Sequence, residues 1–133
     1  VQYLNIQIPQ DIETAFRAAG KERADALLVL QSPVFNAQRA QIGDLALKSR
    51  LPATYPRREF VEDGGLMSYG PSLLEASRLI GIYSGKILRG ANAAELPVEQ
   101  HTRVEFVINL KTAKVQGLTF SLPLLGRADE VFE

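Results

Sequence analysis

The chain has 133 residues, enough for one compact domain with a real core. With 46% apolar and 23% charged residues and a formal net charge of zero, it reads as an ordered globular protein, without the basic excess of a nucleic-acid binder or a polybasic membrane surface. It contains no cysteine, which excludes disulfide frameworks and thiolate metal sites, and no apolar run long enough to span a bilayer. No signal-peptide pattern is read at Val1–Tyr3, where a basic region followed by an apolar one is lacking.

Residues 1–8 (VQYLNIQI) alternate and predict a strand that ends at Pro9. Asp11 is placed to cap a helix, with Ile12, Ala15, Phe16 and Ala19 on one stripe, closing near Gly20. The continuous apolar run at 26–33 (ALLVLQSP) predicts a strand covered on both faces, as in a parallel sheet. Asn36 can cap the next helix, in which Ile42, Leu45, Ala46 and Ser49 share a face. Residues 51–56 (LPATYP) give a third short strand, so the first half reads β-α-β-α-β with right-handed crossovers.

Residues 57–64 predict a turn of helix and a loop, and 66–70 a fourth strand. Pro71 suits the first turn of a long helix, along which Leu73, Ala76, Ile80, Tyr83 and Ile87 recur at heptad spacing. A second row, Ser77, Gly81 and Gly85, is small, and each interior glycine costs about 1 kcal/mol against alanine. Such a row hints at another backbone packing closely there. Residues 88–100 read as a connection, 104–110 as a strand, 111–117 as a short helix closed by Gly117, and the last residues as a final helical turn. The whole is one α/β domain: a lobe at 1–66, a strand and long helix at 67–90, and a closing strand with short helices at 91–133.

Catalytic constellations are scarce. His101 is the only histidine, and no GxSxG, HExxH, Walker A or GxGxxG pattern occurs, so no enzymatic activity, metal or cofactor is expected. An enzyme on a flavodoxin-like sheet would need a nucleophile–base pair that the sequence does not display. The acidic group Glu59, Glu62 and Asp63 reads as a solvated face rather than a metal site. In an open α/β sheet, ligands bind outside the carboxyl ends of the strands. Those ends are Ser32, Phe35 and Asn36, then Tyr55, then Ser68, Tyr69 and Gly70. Two readings stay open: Ser32 and Asn36 bond a ligand on which Phe35, Tyr55 and Tyr69 stack, or they cap a helix while the tyrosines pack.

Three stretches taken together resemble a known family: ADALLVLQSPVFNAQRAQI, LPATYPRREFVEDGGLMSYGPS, and GKILRGANAAELPVEQHTRVEFVINLKTAKVQGL followed by LLGRADEVFE. They resemble the carboxyl-terminal portion of ABC transporter substrate-binding proteins, the group that includes tryptophan/tyrosine-type and uncharacterised proteobacterial members. The resemblance implies an open, mostly parallel sheet flanked by helices, a type I periplasmic-binding-protein-like lobe, with a second lobe that these residues do not contain. It implies a small organic ligand such as an amino acid, held in a cleft whose closure a membrane permease reads, and a periplasmic or extracytoplasmic location. By motif position, Ser32, Phe35 and Asn36 lie on one cleft wall, with Tyr55, Met67, Ser68 and Tyr69 beside it and Gly65, Gly70 and Pro71 as hinge. The competing expectation is a non-transport interaction domain. Under either, the helix at 71–90 would expose a large apolar patch, and pairing of two copies through it is expected.

Overall fold

The computed structural model describes residues 1–99 and 103–133; His101 lies outside the described residues. Five strands form one mixed sheet in the order β1 (Leu27–Leu28), β2 (Ala53–Tyr55), β3 (Met67–Pro71), β4 (Val104–Asn109) and β5 (Glu130–Phe132). β1, β2 and β3 run parallel, β4 is antiparallel to β3, and β5 runs parallel to β4.

Helices α1 (Asp11–Lys21), α3 (Arg39–Lys48) and α4 (Arg58–Glu62) pack in sequence with one another, with the short α2 (Pro33–Ala37) leading into α3. The reason is topological: β1, β2 and β3 step across the sheet in one direction, and right-handed crossovers then put every connecting helix on the same face. Ile12, Ile42, Ala46, Ala53, Tyr55 and Phe60 form the core on that face. Full burial of such side chains contributes about 1.5–3 kcal/mol each, and the Tyr55 and Phe60 rings also stack at 4.9 Å and 14°. The opposite face stays open over the first strands: Leu28 is 71% exposed and Tyr69 63%.

Several sequence expectations are corrected. Residues 1–8 form no strand, because alternation distributes side chains but supplies no neighbour for the backbone groups, and the sheet ends at β1. Ile6 nevertheless packs against the core. β1 is an edge strand of two residues, not one covered on both faces: Leu27 and Val29 turn inward while Leu28 and Leu30 are exposed. Asp11 is the first helical residue, not the cap, and its carboxylate accepts from the N–H groups of Gln7 and Ile8 at 3.2 Å each. Asn36 lies within α2, which starts after Ser32 with Pro33 in its first turn, while Gln38 precedes α3. Pro71 closes β3, and Ser72 caps the long helix α5 (Leu73–Leu88), its Oγ facing the Glu75 N–H. The chain ends not in a helical turn but in α7 (Leu122–Leu125) followed by β5, whose register against β4 no local pattern encodes.

α6 (Leu110–Gln116) is capped by Asn109 and closed by Gly117 at φ 73°, a left-handed position that favours glycine. Buried polar groups at its start bind α4 and the loop after it: Thr112 Oγ1 donates to the Gly64 carbonyl at 2.8 Å, and Asn109 Nδ2 to that of Val61 in α4 at 3.4 Å. α5 differs from every other long element. It buries no residue, and Leu74, Ile80 and Leu88 are 82%, 66% and 87% exposed. Its described anchorage is a bond from the Tyr83 hydroxyl to the Pro97 carbonyl at 2.8 Å, within the segment that returns past a short 3-10 turn (Ala93–Glu95). Among the described residues, no helix is long and apolar enough to cross a membrane.

Candidate functional site

The carboxyl ends of β1, β2 and β3 meet at one edge of the sheet, and the loop of residues 31–36 follows the first of them. Ser32 has extended backbone angles ahead of α2, and its side chain makes no cap bond. Phe35 is half-buried against the core, and Asn36 is half-buried with its Oδ1 enclosed and without a hydrogen-bond partner. Pairing of Tyr55 with Ser68 sets both side chains on the helix-covered face.

Tyr55 is 1% exposed, and burial pushes its phenol up to about 12. Its ring is sandwiched by Phe60 and the backbone at Gly65; a Cβ on Gly65 would lie 2.6 Å from that ring. Ser68 is equally buried, and its Oγ has no partner. A buried polar atom left unpaired costs about 1–3 kcal/mol, so Asn36 Oδ1 and Ser68 Oγ are exceptions that call for an explanation.

Met67 and Tyr69 point to the other face, since side chains alternate along β3. Tyr69 meets Phe106 edge to face at 6.1 Å and remains largely exposed, leaving an aromatic surface available at the edge. The residues singled out in the sequence therefore divide: Tyr55 and Ser68 lie on the helix face, Met67 and Tyr69 on the open face. Gly70 is fixed by packing, since a Cβ there would run into the Pro56 carbonyl, and exposed Pro71 follows it.

Charged residues lie at this edge, paired partly with near neighbours in sequence and partly with distant ones. Arg57 holds Glu59 through two bonds at 2.8 and 3.2 Å. Partial burial works against the Glu59 charge, yet the Arg57 guanidinium keeps its carboxyl below the usual range. Arg58 reaches Glu62, Glu105 and Glu130, and Arg39 pairs with Asp63. The acidic group Glu59, Glu62 and Asp63 is thus a set of ion pairs, and no three His, Cys, Asp or Glu side chains among the described residues could hold a metal. The i,i+4 spacing of Arg58 and Glu62 was a local signal, whereas Glu105 and Glu130 lie 47 and 72 residues from Arg58.

Two shallow, open hollows lie elsewhere. One of 630 Å³ opens between Val1–Gln2 and Ala24–Ala26, and one of 460 Å³ between α6 and Phe120–Leu125.

The sequence profile of the ABC transporter substrate binding protein family matches residues 1–132. The chain belongs to that family. Its members are binding proteins rather than enzymes, typically extracytoplasmic, that bind small molecules and work with permeases. Solved structures share the fold. An ABC domain from Streptococcus pneumoniae in complex with L-Trp has a TM-score of 0.86 at 23% identity, covering 99% of this chain and 46% of that one. A conserved domain protein from Vibrio cholerae gives 0.81 at 22%, covering 93% and 42%. A ligand-free, open substrate-binding protein with adhesive properties from Clostridium difficile gives 0.66 at 17%, covering 96% and 42%. The chain spans less than half the length of each of these structures. No curated protein matches it.

Proposed function

We propose that this chain supplies one wall of a solute-binding cleft of an ABC importer, taking a small organic ligand such as an amino acid. The observation that carries this reading is the pair of enclosed, unpartnered oxygens at the carboxyl edge, Asn36 Oδ1 and Ser68 Oγ. A carbonyl acceptor and a hydroxyl without protein partners fit a ligand that brings polar groups of its own, as an amino acid does. Ser32 and Phe35 flank Asn36, while Tyr69, with Met67 beside it, offers a stacking surface on the other side of β3. Tyr55 acts from behind, as the packed floor under Gly65 and Ser68. The structural neighbour that holds L-Trp supports the ligand class.

In this reading β3 is a crossing segment, with Gly65, Gly70 and Pro71 at its ends as hinge, and the 1–66 lobe, the 67–90 excursion and the 91–133 closure move as parts of a two-lobed binder. The protein then works outside the cytoplasmic membrane and docks on a permease. A thermal-shift screen against amino acids and small carboxylates tests the reading, because a ligand that binds the native state raises its melting temperature. Tyr69→Ala and Phe35→Ala should weaken any hit without unfolding the chain. Unchanged affinity in both removes them from the site, and a screen with no hit, on this chain or on a longer protein containing it, undermines the transport role.

A second reading is favoured by α5, whose apolar side is exposed along its length. In it the chain is an interaction domain that forms a homodimer through residues 71–90. Sedimentation showing a monomer at micromolar concentration would sink that reading.

A further inference from the structure

We propose that Arg58 is a hinge clamp that fixes the angle at which the α5 arm leaves the sheet. Arg58 opens α4, three residues beyond the end of β2, and its guanidinium is spread over three elements. Nε bonds Glu62 of its own helix at 2.8 Å, Nη1 bonds Glu105 of β4 at 2.9 Å, and Nη2 bonds Glu130 of β5 at 2.8 Å. Each nitrogen engages a different carboxylate, a division that suits the rigid guanidinium fork and not the point charge of a lysine.

The position of Glu105 gives this cluster its meaning. In the β3–β4 ladder Glu105 pairs with Gly70, and the next rung, Pro71 with Val104, is the last. Beyond that rung the chain leaves as α5, which makes no more than grazing contact with any other helix or strand. The Tyr83–Pro97 bond ties the arm to its own returning segment, not to the sheet. The last rungs of the ladder therefore carry the arm, and they are pinned from the α4 side twice: the Gly70 backbone lies against the Pro56 carbonyl, and Glu105 is held by Arg58.

The charge balance makes the cluster depend on Arg58. One guanidinium offsets three converging carboxylates, and the neighbouring Arg57 is engaged by Glu59. Without Arg58, Glu62, Glu105 and Glu130 would repel one another across α4, β4 and β5, at a partly buried site where solvent screens less than at an open surface. The base of the arm would then loosen rather than merely lose a bond. The importance of this angle for closure around a ligand rests on the solute-binding reading. The clamp itself does not, and a ligand-free experiment lets either fail alone.

The chain has no cysteine, so spin labels at Lys48→Cys on α3 and Ser84→Cys on α5 report only the arm-to-body distance. With Arg58 present, the distance distribution should be narrow. Arg58→Met should broaden it, Glu105→Gln should broaden it less, and Arg58→Lys should fall between Arg58→Met and the parent. Arg78→Met, which removes an ion pair internal to the arm, should leave the distribution unchanged. A distribution already broad in the parent overturns the proposal. So does an unchanged width in both Arg58→Met and Glu105→Gln with only a lowered melting temperature, which would make the cluster an ordinary stabilising ion pair. If Arg58→Met does not fold, Glu105→Gln alone decides.

Discussion

Of two stretches in this molecule, the one richer in apolar residues is the more exposed. Between Ala53 and Leu66, Tyr55, Phe60, Val61 and Leu66 are all at most 2% exposed, wrapped round one another and round Gly65. Along α5, a helix of 16 residues, nothing is buried. The difference lies in partners rather than in hydrophobicity: the first stretch has β3, α3 and α4 around it, while α5 meets little beyond its own returning segment. An apolar face of that extent is a surface waiting to be covered.

The contrast can be broken most directly in the core. Phe60→Ala should cost about 3–5 kcal/mol in urea unfolding, whereas Ile80→Ala on α5 should stay within about 0.5 kcal/mol. A comparable loss at Ile80 would mean that the arm is covered in solution. Alkaline titration should show the next largest effect. Because burial raises the Tyr55 phenol to about 12, the unfolded chain loses that proton first, and stability falls as pH rises from about 10 to about 12, by on the order of 3 kcal/mol. Tyr55→Phe should abolish that alkaline loss in pH-dependent denaturation.

Glycines sharpen the same comparison. Gly65→Ala forces a methyl group against Tyr55 and the Phe60 carbonyl and should destabilise by about 1–3 kcal/mol. Gly81→Ala meets no neighbouring element among the described residues and should stabilise by about 1 kcal/mol in thermal melts. Destabilisation at Gly81 would reveal a close partner on the small-residue row. The smallest effect is expected at Glu59. Its lowered carboxyl contributes stability above the ordinary carboxylate range that disappears as pH falls through the lowered value, and Glu59→Gln should flatten this part of the acid-stability profile.

Much of the fold could be read from residue patterns, though the boundaries shifted. The 104–110 segment is β4 nearly as expected, because its partial alternation and apolar Phe106-Val107-Ile108 run suit a ladder with neighbours on both sides. α6 closes at Gly117 because a left-handed residue was required there. Residues 1–8 carry the same alternation and form no strand, since pairing is a property of the neighbour. At the candidate site, the positions at the strand ends were readable from topology, but their facing was not. Ser68 and Tyr69 are adjacent in sequence and lie on opposite sides of the sheet, one enclosed and one exposed.

By itself, the sequence determined the alternation of helices and strands, the family, and the absence of thiol chemistry, because these follow from local periodicity, motif and composition. Tertiary structure alone decided that all the crossover helices share one face, that Tyr55 is buried while Tyr69 is exposed, and that Arg58 gathers carboxylates from three elements. Burial and charge pairing depend on which distant residues the chain brings together, and Glu105 and Glu130 meet Arg58 only once the sheet has formed.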